Sequence, residues 1–202
     1  MKVLLATNNQ NKAREIRNIV AGKDIEIFTL SDLNLTSDPE ETGATFLENA
    51  TIKAESALAE LKEKGFSGYA VAADDSGLCV DALDGGPGVY SARYAEVNGQ
   101  PCTYKDNNKK LLKALKNIPK AERTAHFETV AVLIGEDGPR TEATGQLFGT
   151  IGSRGKGKNG FGYDPIFIPE GTGFTLAQLS AEEKDEISHR GQAFRQLFFQ
   201  NN

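Results

Sequence analysis

Apolar residues fall along this chain in short runs and in helical spacings, separated by polar loops. Residues 2–6 form an apolar run, a short strand, followed by the polar stretch Thr7, Asn8, Asn9, Gln10, Asn11 and Lys12. From residue 11 onward, Ile16, Ile19 and Val20 recur at helical spacing, and the pattern stops near Gly22. Residues 24–30 read as a second strand. The acidic loop 31–43 follows, with Pro39, Glu40, Glu41, Thr42 and Gly43 at its end. Thr45 and Glu48 make a capping box, which opens a helix reaching about residue 64. Its apolar face is Phe46, Ala50, Ala54, Ala57 and Leu61, and Gly65 ends it. Residues 69–73 are an apolar run that predicts a buried strand, closed by the turn formers Asp74, Asp75, Ser76 and Gly77.

The second half continues the alternation. The Gly85-Gly86-Pro87-Gly88 cluster predicts a tight, shaped loop over 84–93. Residues 103–115 are helical, with Leu111, Leu112 and Leu115 as the apolar face. Residues 124–134 and 139–151 read as two long strands of a hairpin, joined through Gly135, Glu136, Asp137 and Gly138. Ser180 and Glu183 form a second capping box, opening a helix that holds Lys184 and Ile187. Ser188, His189, Arg190 and Gly191 interrupt it before residues 192–199, where Phe194, Leu197 and Phe198 pack inward. No internal repeat or low-complexity linker breaks the pattern.

Composition narrows the class. A chain of 202 residues fits one sizeable domain or two small lobes sharing a core. No window reaches the ~18 uninterrupted apolar residues of a membrane span, and residues 1–10 do not read as a secretory signal. Cys79 and Cys102 are too few for a disulfide framework, which suits a reducing cytosol. A net charge of −5 argues against a general nucleic-acid binder, which needs a basic face. It leaves room for a small anionic ligand held by a local cluster of cations. The expectation is a cytoplasmic protein that handles a small molecule.

Several stretches carry candidate chemistry. Asp74 and Asp75 are adjacent on a strand, whose side chains alternate between faces, so they cannot do the same job. Paired acids at the carboxyl end of a sheet strand suit hard oxygen ligands for Mg²⁺ and a base for water. An Asx-turn closing the strand is the plainer alternative. The strand, polar loop and helix start at residues 2–12 expose N–H groups at a positive dipole end, which favours an anion. Thr7, Asn8 and Asn11 add neutral hydrogen bonds and Lys12 adds charge, although ordinary N-capping by Asn accounts for the same residues. Lys53, near the apolar edge of its helix, is a weaker candidate. Residues 155–160 match G-x-G-x-x-G but lead to a strand rather than a helix, and Asn159 stands where a P-loop needs Ser or Thr. Both nucleotide motifs are therefore rejected. Beyond this basic loop, Phe161 and Tyr163 offer stacking faces beside the rigid Pro165. A His-Arg pair is unusual on a buried helical face, so His189 and Arg190 suggest a ligand contact. His126, inside a long strand, is read as structural.

In combination these segments resemble the inosine triphosphate pyrophosphatase family. The resemblance rests on Thr7-Asn8-Asn9-Gln10-Asn11-Lys12, Glu40-Glu41-Thr42-Gly43 with Thr45-Phe46 and Glu48-Asn49-Ala50, and Ala73-Asp74-Asp75-Ser76-Gly77-Leu78. It continues through Pro87-Gly88 with Ser91-Ala92-Arg93, Phe161-Gly162-Tyr163-Asp164-Pro165 and Ser188-His189-Arg190. Each motif is modest, but six in one order over nearly the whole chain are specific. Asn9 is the main departure, at a loop position where many relatives differ.

The resemblance implies a single domain over residues 1–202, α/β in class, with a mixed central sheet flanked by helices and two lobes enclosing a nucleotide cleft. It implies Mg²⁺-dependent hydrolysis of ITP, dITP and XTP to the monophosphate and pyrophosphate, by a homodimer. By motif position, Thr7, Asn8, Asn9, Gln10, Asn11 and Lys12 would hold the triphosphate. Asp75 would accept the proton of water and bind the metal, with Glu41, or its neighbour Glu40, as second acid. Ser76 would touch the substrate, and Phe161, Gly162, Tyr163, Asp164, Lys184, His189 and Arg190 would meet base and sugar. Lys12 and Lys53 are candidates for offsetting charge on the leaving pyrophosphate. The alternatives are a related pyrophosphatase for pyrimidine or modified nucleotides, a non-catalytic nucleotide-binding protein, and an RNA-binding module built on the basic loop 154–158.

Overall fold

The computed structural model describes residues 1–138 and 140–199. In chain order the elements are β1 (Lys2–Leu5), α1 (Gln10–Ile19), β2 (Glu26–Thr29), α2 (Phe46–Glu63) and β3 (Tyr69–Val80). They continue as α3 (Tyr104–Ala114), β4 (Thr124–Ile134), β5 (Arg140–Ile151), β6 (Phe167–Pro169), α4 (Ala181–Ile187) and α5 (His189–Phe199). The six strands form one sheet in the order β2-β1-β3-β4-β5-β6. β1 pairs in parallel with β2 and β3, so that Leu4 lies opposite both Phe28 and Val71. β6 runs antiparallel to β5, with Ile168 opposite Thr150. β4 and β5 are neighbours joined by residues 135–139, too short a connection for the crossover that parallel strands need. The expected mixed sheet flanked by helices, and its hairpin, are therefore borne out.

The chain divides into two compact units. One holds Met1–Asp75, Thr129–Gly145 and the residues from His189 onward; the other holds Ser76–Glu128 and Gln146–Ser188. In the first unit β1 and the start of β3 are buried on both faces, as parallel strands between helices must be. Val3, Leu5 and Ala72 pack with Ala13 and Ile16 of α1 and Phe194 and Leu197 of α5. Leu4, Val71 and Ala73 turn the other way, onto Ala50, Ala54, Ala57 and Leu61 of α2. That is the apolar stripe read from the sequence. In the second unit Leu78, Val80, Ala125, Phe127 and Phe167 pack with Leu111 and Leu115 of α3 or its end.

Local signals place most boundaries. Thr45 and Glu48 exchange both capping-box bonds at the start of α2, as do Ser180 and Glu183 at α4. Phe66 and Gly65 close α2 by donating N–H bonds to Leu61 and Lys62. Thr103 and Asp106 form a further box at α3 that sequence reading did not single out. Two expectations are corrected. β3 does not stop at Ala73; it runs through Asp74, Asp75, Ser76 and Gly77 to Val80, so neither acid sits in a strand-ending turn. His189, Arg190 and Gly191 are not an interruption either: the break is Ser188, in extended conformation, and α5 begins at His189. Pro139, expected to begin the second hairpin strand, lies outside the described residues. Among the described residues, no helix is long and apolar enough to cross a membrane.

Candidate active site

Strand alternation sends the two adjacent acids to opposite helices. Asp74 is in phase with Ala72, on the face covered by α1 and α5, while Asp75 is in phase with Val71 and Ala73, on the face covered by α2. Both are buried, at 3% and 6% exposure. A buried carboxylate persists only with partners, and each finds its own.

Asp74 Oδ2 accepts from Lys12 Nζ at 2.9 Å and from Arg190 Nε and Nη2 at 3.4 and 3.5 Å. Arg190 Nη1 also donates to Glu15 of α1. Burial alone would raise the Asp74 pKa, but Lys12, Arg190 and Lys53 outweigh it and hold this carboxyl far below the usual range. Burial likewise opposes the charge on Arg190, and Asp74 and Glu15 reverse that and raise its pKa. Lys12 comes out the other way. Burial lowers its pKa and Asp74 raises it, while Arg190 and Lys53 tip the balance downward.

Asp75 uses both oxygens. Oδ1 accepts from Lys53 Nζ at 3.1 Å and Oδ2 from Asn49 Nδ2 at 3.2 Å. Lys53 Nζ also donates to Glu41 Oε1 at 3.2 Å, so one ammonium bridges the two acids. Burial pulls the Lys53 pKa down, but Asp75, Asp74 and Glu41 together lift it above its ordinary value. Asn49, fully buried, accepts from the Gly43 N–H at 2.8 Å through its other amide atom. It thereby ties the loop that carries Glu41 to the strand that carries Asp75.

Among the expected phosphate-binding residues, Asn9 is the N-cap of α1, its Oδ1 accepting from the N–H groups of Asn11 and Lys12. Thr7 Oγ1 accepts from the Asn9 N–H at 3.1 Å. Asn8 and Gln10 are exposed. Lys12 of this run reaches Asp74. His189 is buried in the first turn of α5 beside Arg190.

The second unit gathers a different group. Asp164 Oδ2 accepts from the Phe161 N–H at 2.8 Å and from Lys184 Nζ at 2.8 Å. That ammonium stands 4.5 Å from the Phe161 ring centroid. Tyr163 is buried and its hydroxyl donates to the Ser91 carbonyl at 2.8 Å. Ser76 is half-buried on β3.

Sequence reading missed Glu15. Three residues after Lys12 on a helix, it reads as one half of a surface pair, and nothing local reports that Arg190, 175 residues away, claims it. Asn49 left a signal: it lies three residues after Phe46 and four before Lys53, so helical spacing puts it on the buried side.

The donor set suits a divalent ion of the magnesium type. Asp75 and Glu41 offer hard carboxylate oxygens, and Mg²⁺ is commonly held by one or two such groups together with substrate phosphates and water. Among the described residues there is no group of three or more His, Cys, Asp or Glu that could hold a metal ion.

A mixed six-stranded sheet carrying a lysine-bridged pair of acids beside further cations defines an α/β protein with charge chemistry suited to phosphoanhydride hydrolysis. Within that class the chain belongs to the Ham1 family, whose model matches residues 3–200. It is similar to a protein named dITP/XTP pyrophosphatase from Thermoanaerobacter sp. (strain X514), at 48% identity over 197 residues, 98% of this chain and 94% of that one. A protein of the same name from Elusimicrobium minutum (strain Pei191) is 47% identical over 201 residues, 98% of each chain. The solved structure of a HAM1 protein from Coxiella burnetii matches with a TM-score of 0.84 and 39% identity, covering 98% of this chain and 96% of that one. The resemblance read from the sequence motifs is borne out.

Proposed function

We propose that this chain hydrolyses non-standard purine nucleoside triphosphates (ITP, dITP and XTP) to the monophosphate and pyrophosphate, with Mg²⁺ as cofactor. The observation that carries the reading is the Lys53 ammonium bridging Asp75 and Glu41, beside Lys12 on Asp74. The substrate class follows from relatives that carry the name dITP/XTP pyrophosphatase.

Asp75 and Glu41 would hold Mg²⁺, which when bound neutralises phosphate charge and lowers the pKa of a coordinated water. Asp75 is the proton acceptor as water attacks the α-phosphorus. Asn49 fixes its second oxygen, so the carboxylate is already oriented. Lys53 and Lys12 offset charge on the departing pyrophosphate, and the N–H groups at the start of α1, with Thr7, Asn8, Asn9, Gln10 and Asn11, hold the outer phosphates. Asp74 stays ionised and keeps Lys12 and Arg190 in place.

Phe161 supplies a stacking face for the base, with Gly162, Tyr163, Asp164 and Lys184 around it, and Ser76 contacts the substrate. Donors from His189, with Arg190 beside it, pair with the 6-oxo group of hypoxanthine or xanthine. Adenine presents a 6-amino donor there, and a site built for one pattern rejects the other by up to ~10⁴. GTP shares the 6-oxo group, so its exclusion requires a pocket with no partner or room for the 2-amino group; GTP turnover as fast as that of ITP contradicts this. The same reading takes the working form to be a cytoplasmic homodimer acting on free nucleotides, which light scattering tests. Chromatography of ITP incubated with protein and Mg²⁺ tests the reaction: IMP and pyrophosphate are expected, and IDP with phosphate contradicts it.

A further inference from the structure

Helix α3 has no part in the site described so far, yet two of its side chains meet the Phe161 loop. Asn108 Nδ2 donates to the Gly162 carbonyl at 3.0 Å. Tyr104, one turn earlier and on the same side, lays its ring 6.2 Å from that of Phe161, tilted by 42°. The loop needs such restraint because Phe161 stands between two glycines with left-handed backbone, at φ +72° for Gly160 and +60° for Gly162. Asp164 fixes the side before Phe161: it takes the Phe161 N–H, and a Cβ on Gly160 would come within 2.0 Å of its Oδ2. Asn108 fixes the side after it.

We infer that Asn108 is a positioning residue for the purine, which through the Gly162 carbonyl sets the plane of the Phe161 ring before the base arrives. The inference deepens the proposed function and rests on it. A platform ordered in advance lowers the cost of ordering on binding. Asn108 Oδ1 is buried without a partner among the described residues, and turning the amide over would set that oxygen against the Gly162 carbonyl. A half-satisfied buried amide is a poor stabiliser, so Asn108→Leu is expected to keep or raise the melting temperature.

The test compares wild type, Asn108→Leu and Asn108→Asp, with kcat and KM for ITP measured separately beside thermal melting. The expected result is a KM raised about tenfold in Asn108→Leu, the scale of one lost ordering hydrogen bond, with kcat within about twofold. Asn108→Asp, which sets a carboxylate against the carbonyl, raises KM at least as much. The chain has no tryptophan, so Phe161→Trp gives one emission probe at the platform. ITP quenching of that probe, read in chelator, shifts to higher concentration when Asn108→Leu is added. An unchanged KM and quenching midpoint, or a fall in melting temperature that accounts for the loss, overturns the inference while ITP turnover by wild type still stands. Wild type that neither binds nor hydrolyses ITP overturns the underlying reading and this inference with it.

Discussion

Two adjacent carboxylates with opposite duties are the centre of the site at the scale of residues. In the proposed reaction Asp75 accepts the proton of water, and Asp75→Asn is expected to lower kcat for ITP by ~10²–10⁴ with the far-ultraviolet circular dichroism of wild type. Asp74 faces two cations from other elements and serves the fold. Removing one partner of a buried pair leaves an uncompensated charge, so Asp74→Asn should cost about 3–5 kcal/mol in urea unfolding. The pH dependence has a defined sign. The folded pKa of Asp74 lies below its ordinary 3.8, so its contribution is complete above that value and is lost as pH falls toward the folded one. Wild type should therefore lose stability steeply below about pH 4, and Asp74→Asn less steeply, as read from urea midpoints across pH 2–5.

Among the elements, α5 depends on one close approach. Gly145 of β5 lies against its first turn, where a Cβ would stand 2.0 Å from the His189 carbonyl oxygen and 2.7 Å from the Ala193 nitrogen. Backbone cannot yield as a side chain can, so Gly145→Ala should destabilise by about 1–3 kcal/mol and displace His189 and Arg190. Melting and ITP turnover should fall together; a variant with wild-type values contradicts that placement of α5. The elements themselves were largely legible because their signals are local: capping boxes at Thr45 and Ser180, and the alanine stripe from Ala50 to Ala57. The length of β3 was not legible. Asp-Asp-Ser-Gly has the chemistry of a turn, and it remains strand because Lys12, Arg190, Asn49 and Lys53 satisfy the two acids. Those partners come from three helices, and no local pattern announces them. For the same reason Arg190 was legible as unusual but not as the partner of Asp74 and Glu15.

For the whole molecule, a chain of net charge −5 that binds a polyanion must concentrate its cations. Lys12, Lys53 and Arg190 do so around Asp74, each tied to an acid of the protein. Lys53 bridges the two candidate metal ligands, so both carboxylates already have a cationic partner without the ion. Chelation should therefore stop ITP turnover while leaving the melting temperature nearly unchanged, and turnover that survives chelator contradicts the metal's role. The measurement that bears most directly on the account is ITP hydrolysis in water labelled with heavy oxygen, followed by mass spectrometry of the products. Attack at the α-phosphorus places the label in IMP and leaves pyrophosphate unlabelled. Label in pyrophosphate, or the appearance of IDP and labelled phosphate, would contradict it.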